Sequence, residues 1–351
     1  MINVKPQLET LEAYVPGKPA SMIKKQYGLE QVIKLASNEN PFGASPKVKE
    51  ALQNFNDFAI YPDGAASQLR EKLAARLTID PKQLLFGAGG DEVIQVVCRG
   101  ILSPGDNIIE AWPTFSQYSH HAIIEGAQIK NIPLKDGIHD LPAMLEAIDG
   151  HTKIIWVCNP NNPTGTTLTS TDIAAFLEQV PSEILVVVDE AYIEYANSNA
   201  DCFPLLKRFE NLFILRTFSK IYGLASFRIG YGIASIKLIQ DLEASRLPFN
   251  TSSISQLAAL AALEDQAFLS ECVQDNLKGL KQYEEYFGSK GVAYYPSQAN
   301  FIFIPTTKGK TIAAYLESKG YIIRSFSEGI RITIGTQKQN AALIKLLDDC
   351  L

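Results

Sequence analysis

The chain of 351 residues is long enough for two domains, or for one large α/β unit with a smaller partner. Its hydrophobic share of 46% and charged share of 20% are ordinary for a soluble globular protein, and its net charge of −6 argues against general nucleic-acid binding, which normally needs a basic face. The longest apolar runs, such as Ile154–Cys158, are too short to span a bilayer, and the first residues lack the pattern of a signal peptide.

The first part of the chain contains two predicted turns, each followed by a predicted helix. Lys34–Gly43 holds two asparagines, a proline and a glycine, a combination typical of an ordered loop, and a helix is predicted from Ser45-Pro46 through Leu52. Tyr61-Pro62-Asp63-Gly64 predicts another turn, after which Ser67 caps a predicted helix that ends near Leu77.

A glycine-rich loop follows the first predicted strand, Leu84–Phe86. The glycines of Gly87–Gly90 let backbone N–H groups approach an anion at the positive end of the next helix. Asp91 and Glu92 at the start of that helix complement its dipole but would repel a phosphate. We therefore expect a cation to reach this loop from elsewhere in the chain.

Short apolar runs alternate with helical stretches through the middle of the chain, and Asp172–Gln179 is one of these predicted helices. Four of the runs have the length of buried strands: Asp106–Ile109, Thr152–Val157, Glu183–Val188 and Leu212–Leu215. The alternation predicts an α/β fold with a mostly parallel sheet that is covered by helices on both faces.

The pattern changes after Leu247. A long helical stretch is predicted from Ser253 through Tyr286, and short strands follow at Phe301–Ile304 and Ile330–Ile334. We predict a large domain over residues 46–247 and a smaller domain that is formed by residues 248–351 together with the N-terminal segment 1–45.

Lys220 follows the strand Leu212–Leu215 and so lies near its carboxyl end, where open α/β sheets bind ligands. It is the one lysine in an otherwise uncharged window from Thr217 that closes with Arg228. Because partial desolvation and a neighbouring cation both lower the pKa of an amine, Lys220 is a candidate Schiff-base nucleophile. A lysine that only caps a strand end is the alternative.

Two other strand ends carry polar side chains. Asp189 closes an apolar strand, where a carboxylate costs free energy unless it meets a cation or a protonated ring nitrogen, and Tyr192 lies three residues later. Asn159–Gly165 follows the strand that ends at Cys158 and forms a rigid turn with amide side chains. An ordinary buried ion pair is the alternative for Asp189 and Lys220.

In this order, the asparagine turn, Asp189-x-x-Tyr192, Ser219-Lys220 and Lys220-x7-Arg228 resemble the motifs of the fold-type I pyridoxal-phosphate aminotransferases, the aspartate aminotransferase superfamily. The resemblance extends from Tyr14 to Gly335 and implies a mostly parallel central sheet plus a smaller α+β domain. Four segments are similar to the histidinol-phosphate aminotransferase family in particular: Leu35–Pro41, Tyr61–Asp63, Gly90–Glu92 and Arg331–Thr336.

The resemblance implies pyridoxal 5′-phosphate as the cofactor, held covalently by Lys220, whose amine would also move the substrate proton. It implies that Asp189 keeps the pyridine nitrogen protonated and that Tyr192 and Asn162 hydrogen-bond the phenolic oxygen. It assigns the remaining cofactor contacts to Gly90, Asp91, Phe115, Thr217, Ser219, Arg228 and, from the neighbouring subunit, Tyr61. Phe115 would stack on the ring, and Tyr118 is the alternative for that role.

The resemblance also implies a homodimer that converts L-histidinol phosphate and 2-oxoglutarate to imidazole acetol phosphate and L-glutamate in histidine biosynthesis. Arg331 would bind the substrate carboxylate, and Arg324, Asn40 and Tyr14 would be further substrate contacts. An aromatic-amino-acid aminotransferase and a threonine-phosphate decarboxylase on the same scaffold stay open. A catalytically silent, cofactor-binding regulator is a third alternative, although we find no helix-turn-helix or basic segment for it.

The cysteines and histidines point to no further chemistry. The five cysteines form no C-x-x-C pair, which suits a reduced cytoplasmic protein: Cys98, Cys158, Cys202, Cys272 and Cys350. The four histidines have no metal-ligand spacing with carboxylates or cysteines, so we predict no metal site: His120, His121, His139 and His151.

Overall fold

The computed structural model describes residues 2–9, 11–13 and 19–351. In these residues the strands form one large sheet and two small ones. In chain order the strands are β1 (Ile33–Lys34), β2 (Leu84–Gly87), β3 (Asn107–Trp112), β4 (Gln128–Pro133), β5 (Thr152–Cys158), β6 (Leu185–Asp189), β7 (Leu212–Thr217), β8 (Gly230–Ile233), β9 (Phe301–Pro305), β10 (Tyr321–Ile322), β11 (Arg324–Ser325) and β12 (Gly329–Thr333).

The helices cover the sheets, and none among the described residues is both long and apolar enough to cross a bilayer. In chain order they are α1 (Ala20–Tyr27), α2 (Pro46–Leu52), α3 (Ser67–Leu77), α4 (Gly90–Ile101), α5 (Gln117–Ile124), α6 (Leu141–Glu146), α7 (Ser170–Leu177), α8 (Ile236–Glu243), α9 (Ser253–Leu263), α10 (Gln266–Lys290), α11 (Gly309–Ser318) and α12 (Gln337–Leu347).

The large sheet has seven strands in the order β2-β8-β7-β6-β5-β3-β4, and β8 runs antiparallel to both of its neighbours. Successive residues of its strands belong to different cores: Ile155 and Val186 pack on one face, and Trp156 and Val187 pack on the other. Burial on both faces explains why these strands are continuous apolar runs. The prediction of a mostly parallel, doubly covered sheet is confirmed.

The parallel register brings three polar segments to one edge of this sheet. Cys158 at the end of β5 lies opposite Asp189 at the end of β6, and Asp189 lies opposite Leu215 in β7. Lys220 follows the end of β7 by three residues. The asparagine turn, Asp189 and Lys220 therefore meet at the carboxyl edge.

The small sheets share a separate core. β11, β12 and β9 form an antiparallel sheet, and β1 pairs in parallel with β10. Leu35, just after β1, packs with Tyr283, Ile302 and Leu343 from the C-terminal part of the chain. The N-terminal segment thus contributes to the smaller unit, while the domain boundaries at residues 45 and 247 stay a prediction.

Several local features differ from the sequence-based expectation: the helix predicted to be capped by Ser67, for example, begins at Ser67, with Ala66 at its N-cap position and no side-chain cap. The helix predicted from Ser253 through Tyr286 is wrong as a single element, because Asp265 separates α9 from α10 and its carboxylate accepts a 3.3 Å hydrogen bond from Phe268 N that caps α10. β8 was not predicted, since Gly230 and Gly232 weaken its strand signal. A Cβ at Gly232 would lie 2.0 Å from the ring of Phe213, so the sheet core has no room for a larger residue there.

Candidate active site

A cavity of about 550 Å³ lies between the carboxyl edge of the large sheet and the small antiparallel sheet. Its walls contain most of the residues that the sequence singled out: Gly90, Asp91, Phe115, Asn162, Asp189, Tyr192, Thr217, Ser219, Lys220, Arg228, Arg324 and Arg331. The volume is within the range of pockets that bind small molecules and cofactors.

Lys220 points into this cavity with few partners. Its Nζ donates one long hydrogen bond, 3.5 Å, to the carbonyl of Ser37 and lies 5.5 Å from the ring centroid of Tyr192. Burial, followed by the positive charge of Arg331, lowers the pKa of Lys220 to about 8. A sizeable fraction of the amine is therefore neutral near physiological pH, which is the form that attacks a carbonyl carbon.

Asp189 lies on the cavity floor at the end of β6 and is 3% exposed. One carboxylate oxygen accepts a 2.5 Å hydrogen bond from the hydroxyl of Tyr118, and the other accepts a 3.0 Å bond from the backbone N–H of Ala191. Burial raises the pKa of Asp189 to about 6, although both hydrogen bonds and Lys220 oppose this rise. The carboxylate is thus held rigidly and is basic enough to share a proton with a ring nitrogen.

Tyr192 is fixed by a residue that the sequence did not single out. Asn38 Nδ2 donates a 2.9 Å hydrogen bond to the Tyr192 hydroxyl. Burial raises the pKa of Tyr192 above its ordinary value, so the hydroxyl keeps its proton. Because the hydroxyl oxygen accepts the bond from Asn38, its O–H can donate toward the cavity.

Asn38 itself joins the two units of the fold. It has a φ of 57°, its Oδ1 accepts a 3.0 Å bond from the Thr333 hydroxyl, and its carbonyl accepts a 2.9 Å bond from Asn300 Nδ2. Asparagine tolerates this left-handed backbone better than most residues, and this is the sequence signal that could have identified it.

Arg331 and Asn162 form a contact between the small sheet and the asparagine turn. The buried guanidinium of Arg331 donates to Asn162 Oδ1 and, over 2.6 Å, to the carbonyl of Ala36. It also lies 5.2 Å from the ring centroid of Phe301 and 5.6 Å from that of Phe326. Because the Asn162 oxygen faces Arg331, the amide N–H groups of Asn162 are left to donate to another group.

The N-terminus of α4 and Arg228 form the other end of the cavity. Arg228 Nη2 lies 3.4 Å from the Asp91 carboxylate, and Nη1 donates a 3.0 Å bond to the Ala225 carbonyl. Gly89 has a φ of 84°, and a Cβ on it would lie 2.4 Å from Arg228 Nη2. Only glycine therefore allows this approach, and Arg228 is the cation that the acidic helix start was expected to need.

Two hydroxyl groups complete this anion-binding end. Thr217 Oγ1 lies 3.0 Å from Ser219 Oγ and accepts a 3.1 Å bond from the Ser219 N–H. Glu92 is directed away from it, since its carboxylate accepts hydrogen bonds from the Ala88 N–H and, over 2.7 Å, from Asn250. A helix N-terminus, a guanidinium and two hydroxyls are suited to a phosphate group.

Phe115 and Tyr118 occupy different places. Phe115 lines the cavity, whereas Tyr118 is fully buried behind it, with the two ring centroids 5.6 Å apart in an edge-on arrangement. Of these two candidates for stacking on the cofactor, Phe115 is the one exposed to the cavity.

Arg324 lies directly opposite Arg331 in the antiparallel pair of β11 and β12. Cross-strand partners project their side chains from the same face of a sheet, and both arginines line the cavity. The short connection between them in the sequence is thus a tight turn between paired strands.

Two candidate residues, Asn40 and Tyr61, do not line the cavity of this chain. Asn40 Nδ2 donates a 2.8 Å bond to the Ile221 carbonyl, and its Oδ1 accepts from the N–H of Phe42, which commits the side chain to the loop. Tyr61 is 78% exposed and stacks on Phe249 with ring centroids 4.8 Å apart. Tyr14 lies outside the described residues.

The residues present are compatible with pyridoxal 5′-phosphate. The amine of Lys220 suits its aldehyde, the buried Asp189 carboxylate suits a protonated pyridine nitrogen, and Arg228 beside the start of α4 suits its phosphate. Within residues 2–9, 11–13 and 19–351, no cluster of three or more histidine, cysteine, aspartate or glutamate side chains has the geometry to hold a metal ion.

Comparison with known proteins gives the family. The family model described as aminotransferase class I and II matches residues 30–347. A histidinol-phosphate aminotransferase of Bacillus cytotoxicus is 54% identical over 355 residues, which cover 99% of this chain and 96% of that relative.

Solved structures agree with this match. The histidinol-phosphate aminotransferase from Sinorhizobium meliloti in complex with pyridoxal-5′-phosphate is 26% identical, with a TM-score of 0.91 over 100% of this chain and 99% of its own. L-threonine-O-3-phosphate decarboxylase from Porphyromonas gingivalis, at 23% identity and a TM-score of 0.78 over 91% of this chain and 99% of its own, shares the fold. The chain belongs to the class I and II aminotransferase family.

Proposed function

We propose that this chain is a pyridoxal-phosphate-dependent aminotransferase that converts L-histidinol phosphate and 2-oxoglutarate to imidazole acetol phosphate and L-glutamate in histidine biosynthesis. The observation that carries the proposal is the pairing of a lysine amine with a lowered pKa and a rigidly held carboxylate in one cavity. The 54% identity to a histidinol-phosphate aminotransferase over nearly the full chain supports the substrate assignment.

The cofactor is held at three places. Lys220 would bind its aldehyde carbon, Asp189 would pair with the ring nitrogen, and Arg228 would bind the phosphate. Additional contacts to the phosphate, the ring and the phenolic oxygen come from Gly90, Asp91, Thr217, Ser219, Phe115, Asn162 and Tyr192. When bound, pyridoxal phosphate supplies an aldehyde that combines with amines and a ring that accepts the electron pair released at the substrate carbon.

Three residues around the cofactor would hold or move protons at defined atoms. Once the substrate amine has displaced it from the cofactor, Lys220 Nζ would take the proton from the amine-bearing carbon of the substrate, since its lowered pKa lets the same amine accept and return a proton. Asp189 keeps a proton on the ring nitrogen, and Tyr192 donates its O–H toward the phenolic oxygen while Asn38 holds it in place.

The two paired arginines bind the acidic ends of the substrates. Arg331 is buried, lies within 5.6 Å of two aromatic ring centroids and is suited to a carboxylate, while Arg324, its cross-strand partner, would bind the phosphate ester or the second carboxylate. Asn40 and Tyr14 are further proposed substrate contacts, and Asn40 would have to leave its present hydrogen bonds to take part.

The enzyme functions as a cytoplasmic homodimer in this proposal. Tyr61 and Phe249 stack on each other at the surface, and the neighbouring side chains of Phe58, Ile60 and Leu247 are also exposed. An exposed apolar group of this kind is typical of a protein interface. The Tyr61 hydroxyl would then reach the cofactor phosphate of the partner subunit.

The first test is cofactor attachment. After incubation with pyridoxal phosphate and dialysis, the cofactor-free chain should keep a visible absorbance band that Lys220→Ala abolishes, whereas Lys237→Ala, which removes an exposed lysine elsewhere, should leave the band unchanged. A wild-type chain that gives no band with added cofactor would refute the proposal.

The second test is a substrate panel of histidinol phosphate, phenylalanine, tyrosine and threonine phosphate, with and without 2-oxoglutarate. Amino transfer from histidinol phosphate that depends on 2-oxoglutarate is the expected result. Transfer from aromatic amino acids only would make the chain an aromatic aminotransferase, and release of carbon dioxide from threonine phosphate would make it a decarboxylase.

A further inference from the structure

We propose that Tyr118 is a positioning residue for the cofactor ring nitrogen and that it acts through Asp189. The inference rests on the proposed function and adds to it a residue that does not touch the substrate. Tyr118 is fully buried and separated from the cavity, yet its hydroxyl donates a 2.5 Å hydrogen bond to Asp189. Because Asp189 is the carboxylate that would meet the ring nitrogen, a hydroxyl bonded to Asp189 can influence the cofactor without touching it.

The hydrogen bond fixes the direction of the Asp189 carboxylate. Tyr118 holds Oδ2, and the Ala191 N–H holds Oδ1 at 3.0 Å, so the carboxylate plane cannot rotate without breaking one of the two bonds. Because a carboxylate oxygen accepts more than one hydrogen bond, each oxygen can still receive a proton donor from the cavity side.

The Tyr118 ring is itself held in place. The indole of Trp156 in β5 lies parallel to it, with ring centroids 4.4 Å apart and an angle of 7° between the planes. Phe115 contacts it edge-on from the cavity side. The hydroxyl is therefore presented to Asp189 in one orientation, and the flat ring surfaces leave little room for it to move.

The electrostatic effect has a defined sign. Burial raises the pKa of Asp189, while the hydrogen bond from Tyr118 lowers it by stabilising the ionised form. Lys220 acts in the same direction as Tyr118, and Asp91 opposes both. Removing the hydroxyl should leave a carboxylate that is both less directed and more readily neutral, and so a poorer partner for a protonated ring nitrogen.

The test compares Tyr118→Phe with Tyr283→Phe, which removes the hydroxyl of another fully buried tyrosine in the separate core of the smaller unit. Each cofactor-free protein is titrated with pyridoxal phosphate and with an analogue in which C–H replaces the ring nitrogen. Y118F should weaken the binding of pyridoxal phosphate about tenfold, which is the typical effect of one hydrogen bond to a charged group. It should leave the binding of the analogue nearly unchanged, and Y283F should change neither.

Equal weakening of both ligands by Y118F would overturn the inference, because it would indicate a packing role, and so would unchanged binding of both. If Y118F does not fold, Tyr118→His, which keeps an N–H donor, is compared with Tyr118→Leu, which keeps none: a stronger preference for the ring nitrogen in Y118H than in Y118L supports the inference, and equal preferences contradict it. A wild-type chain that binds no pyridoxal phosphate would refute the proposed function instead.

Discussion

At the scale of single residues, the cavity shifts the pKa of a lysine and the pKa of an aspartate toward each other. Burial and Arg331 make Lys220 less basic than free lysine, and burial makes Asp189 more basic than free aspartate. The two shifts leave one amine and one carboxylate that can exchange protons near neutral pH, which an exposed lysine and aspartate cannot do. Shifts of this kind concentrate at functional sites.

The lowered pKa of Lys220 predicts how cofactor attachment depends on pH. Only the neutral amine attacks an aldehyde, so the attachment rate should rise with pH through a midpoint near 8 and be lost as the pH falls below it. Stopped-flow absorbance from about pH 6 to about pH 10 measures this rate. Pyridoxamine phosphate, which has no aldehyde, is the control and should not follow the same midpoint. A midpoint close to that of free lysine, about 10.4, would contradict the prediction.

Asn38 has two roles: it adopts a left-handed backbone conformation, and its side chain holds a residue of the site. Its side chain holds the Tyr192 hydroxyl, and its left-handed backbone directs that side chain between Thr333 and Tyr192. The sequence identifies the loop but not this residue, because the hydrogen-bond partners are about 150 and 300 positions away in the chain.

Asn38→Ala should lower the free energy of unfolding by about 2–4 kcal/mol, since it leaves buried partners unsatisfied and strains the backbone. Asn38→Gly removes the same hydrogen bonds but relieves the strain. It should be more stable than N38A by about 0.5–1 kcal/mol, because the left-handed strain of about 1–2 kcal/mol exceeds the added chain entropy of glycine. Urea unfolding of the cofactor-free proteins measures both. A glycine variant no more stable than the alanine variant would show that strain is not involved.

At the scale of secondary-structure elements, the glycines in the loop between β2 and α4 allow other groups to approach the loop backbone closely. Gly89 lets the loop pass beside Arg228, and α4 then begins at Gly90 with its N–H groups toward the cavity. The glycine pattern predicts an anion site here, the family resemblance adds Arg228 as its cation, and the fold places Arg228 beside the start of α4.

Two neighbouring glycines allow a matched test of this loop. Gly89→Ala places a Cβ 2.4 Å from Arg228 Nη2 at a φ of 84°, whereas the Cβ of Gly90→Ala would lie 3.9 Å from its nearest neighbour, Leu215. G89A should therefore weaken the binding of pyridoxal phosphate by at least about tenfold, and G90A should change it by less than about threefold. Absorbance titration of the cofactor-free variants measures both. Equal effects of the two substitutions would mean that the position of Arg228 does not govern phosphate binding.

At the scale of the whole molecule, the sequence predicts the parts better than their assembly. Apolar runs identify β5, β6 and β7, and residues at their ends, such as Asp189 and Lys220, are correctly placed at one edge. Contacts that depend on remote parts of the chain are not predicted. Tyr118 behind Asp189 is the clearest case, because no local pattern distinguishes its hydroxyl from that of any core tyrosine.

Assembly also decides which Tyr61 serves which cavity. In its own chain Tyr61 is exposed and does not line the cavity, so a role in cofactor binding requires a second copy. Homodimers of Lys220→Ala cannot hold the cofactor covalently, and homodimers of Tyr61→Phe lack one phosphate contact in each site. A hybrid of the two variants places the intact Lys220 of one protomer with the intact Tyr61 of the other, and so contains one complete site.

We therefore expect refolded mixtures of K220A and Y61F protomers to regain cofactor that resists dialysis, with one tightly bound molecule for each hybrid dimer. Absorbance after dialysis measures it, and separately refolded K220A and Y61F proteins mixed only afterwards are the control. If Tyr61 acted on the cavity of its own protomer, the hybrid would combine one site without Lys220 and one without the Tyr61 hydroxyl. The mixture would then retain no more than half the cofactor that an equal amount of Y61F protein retains by itself, and this result would exclude a shared active site.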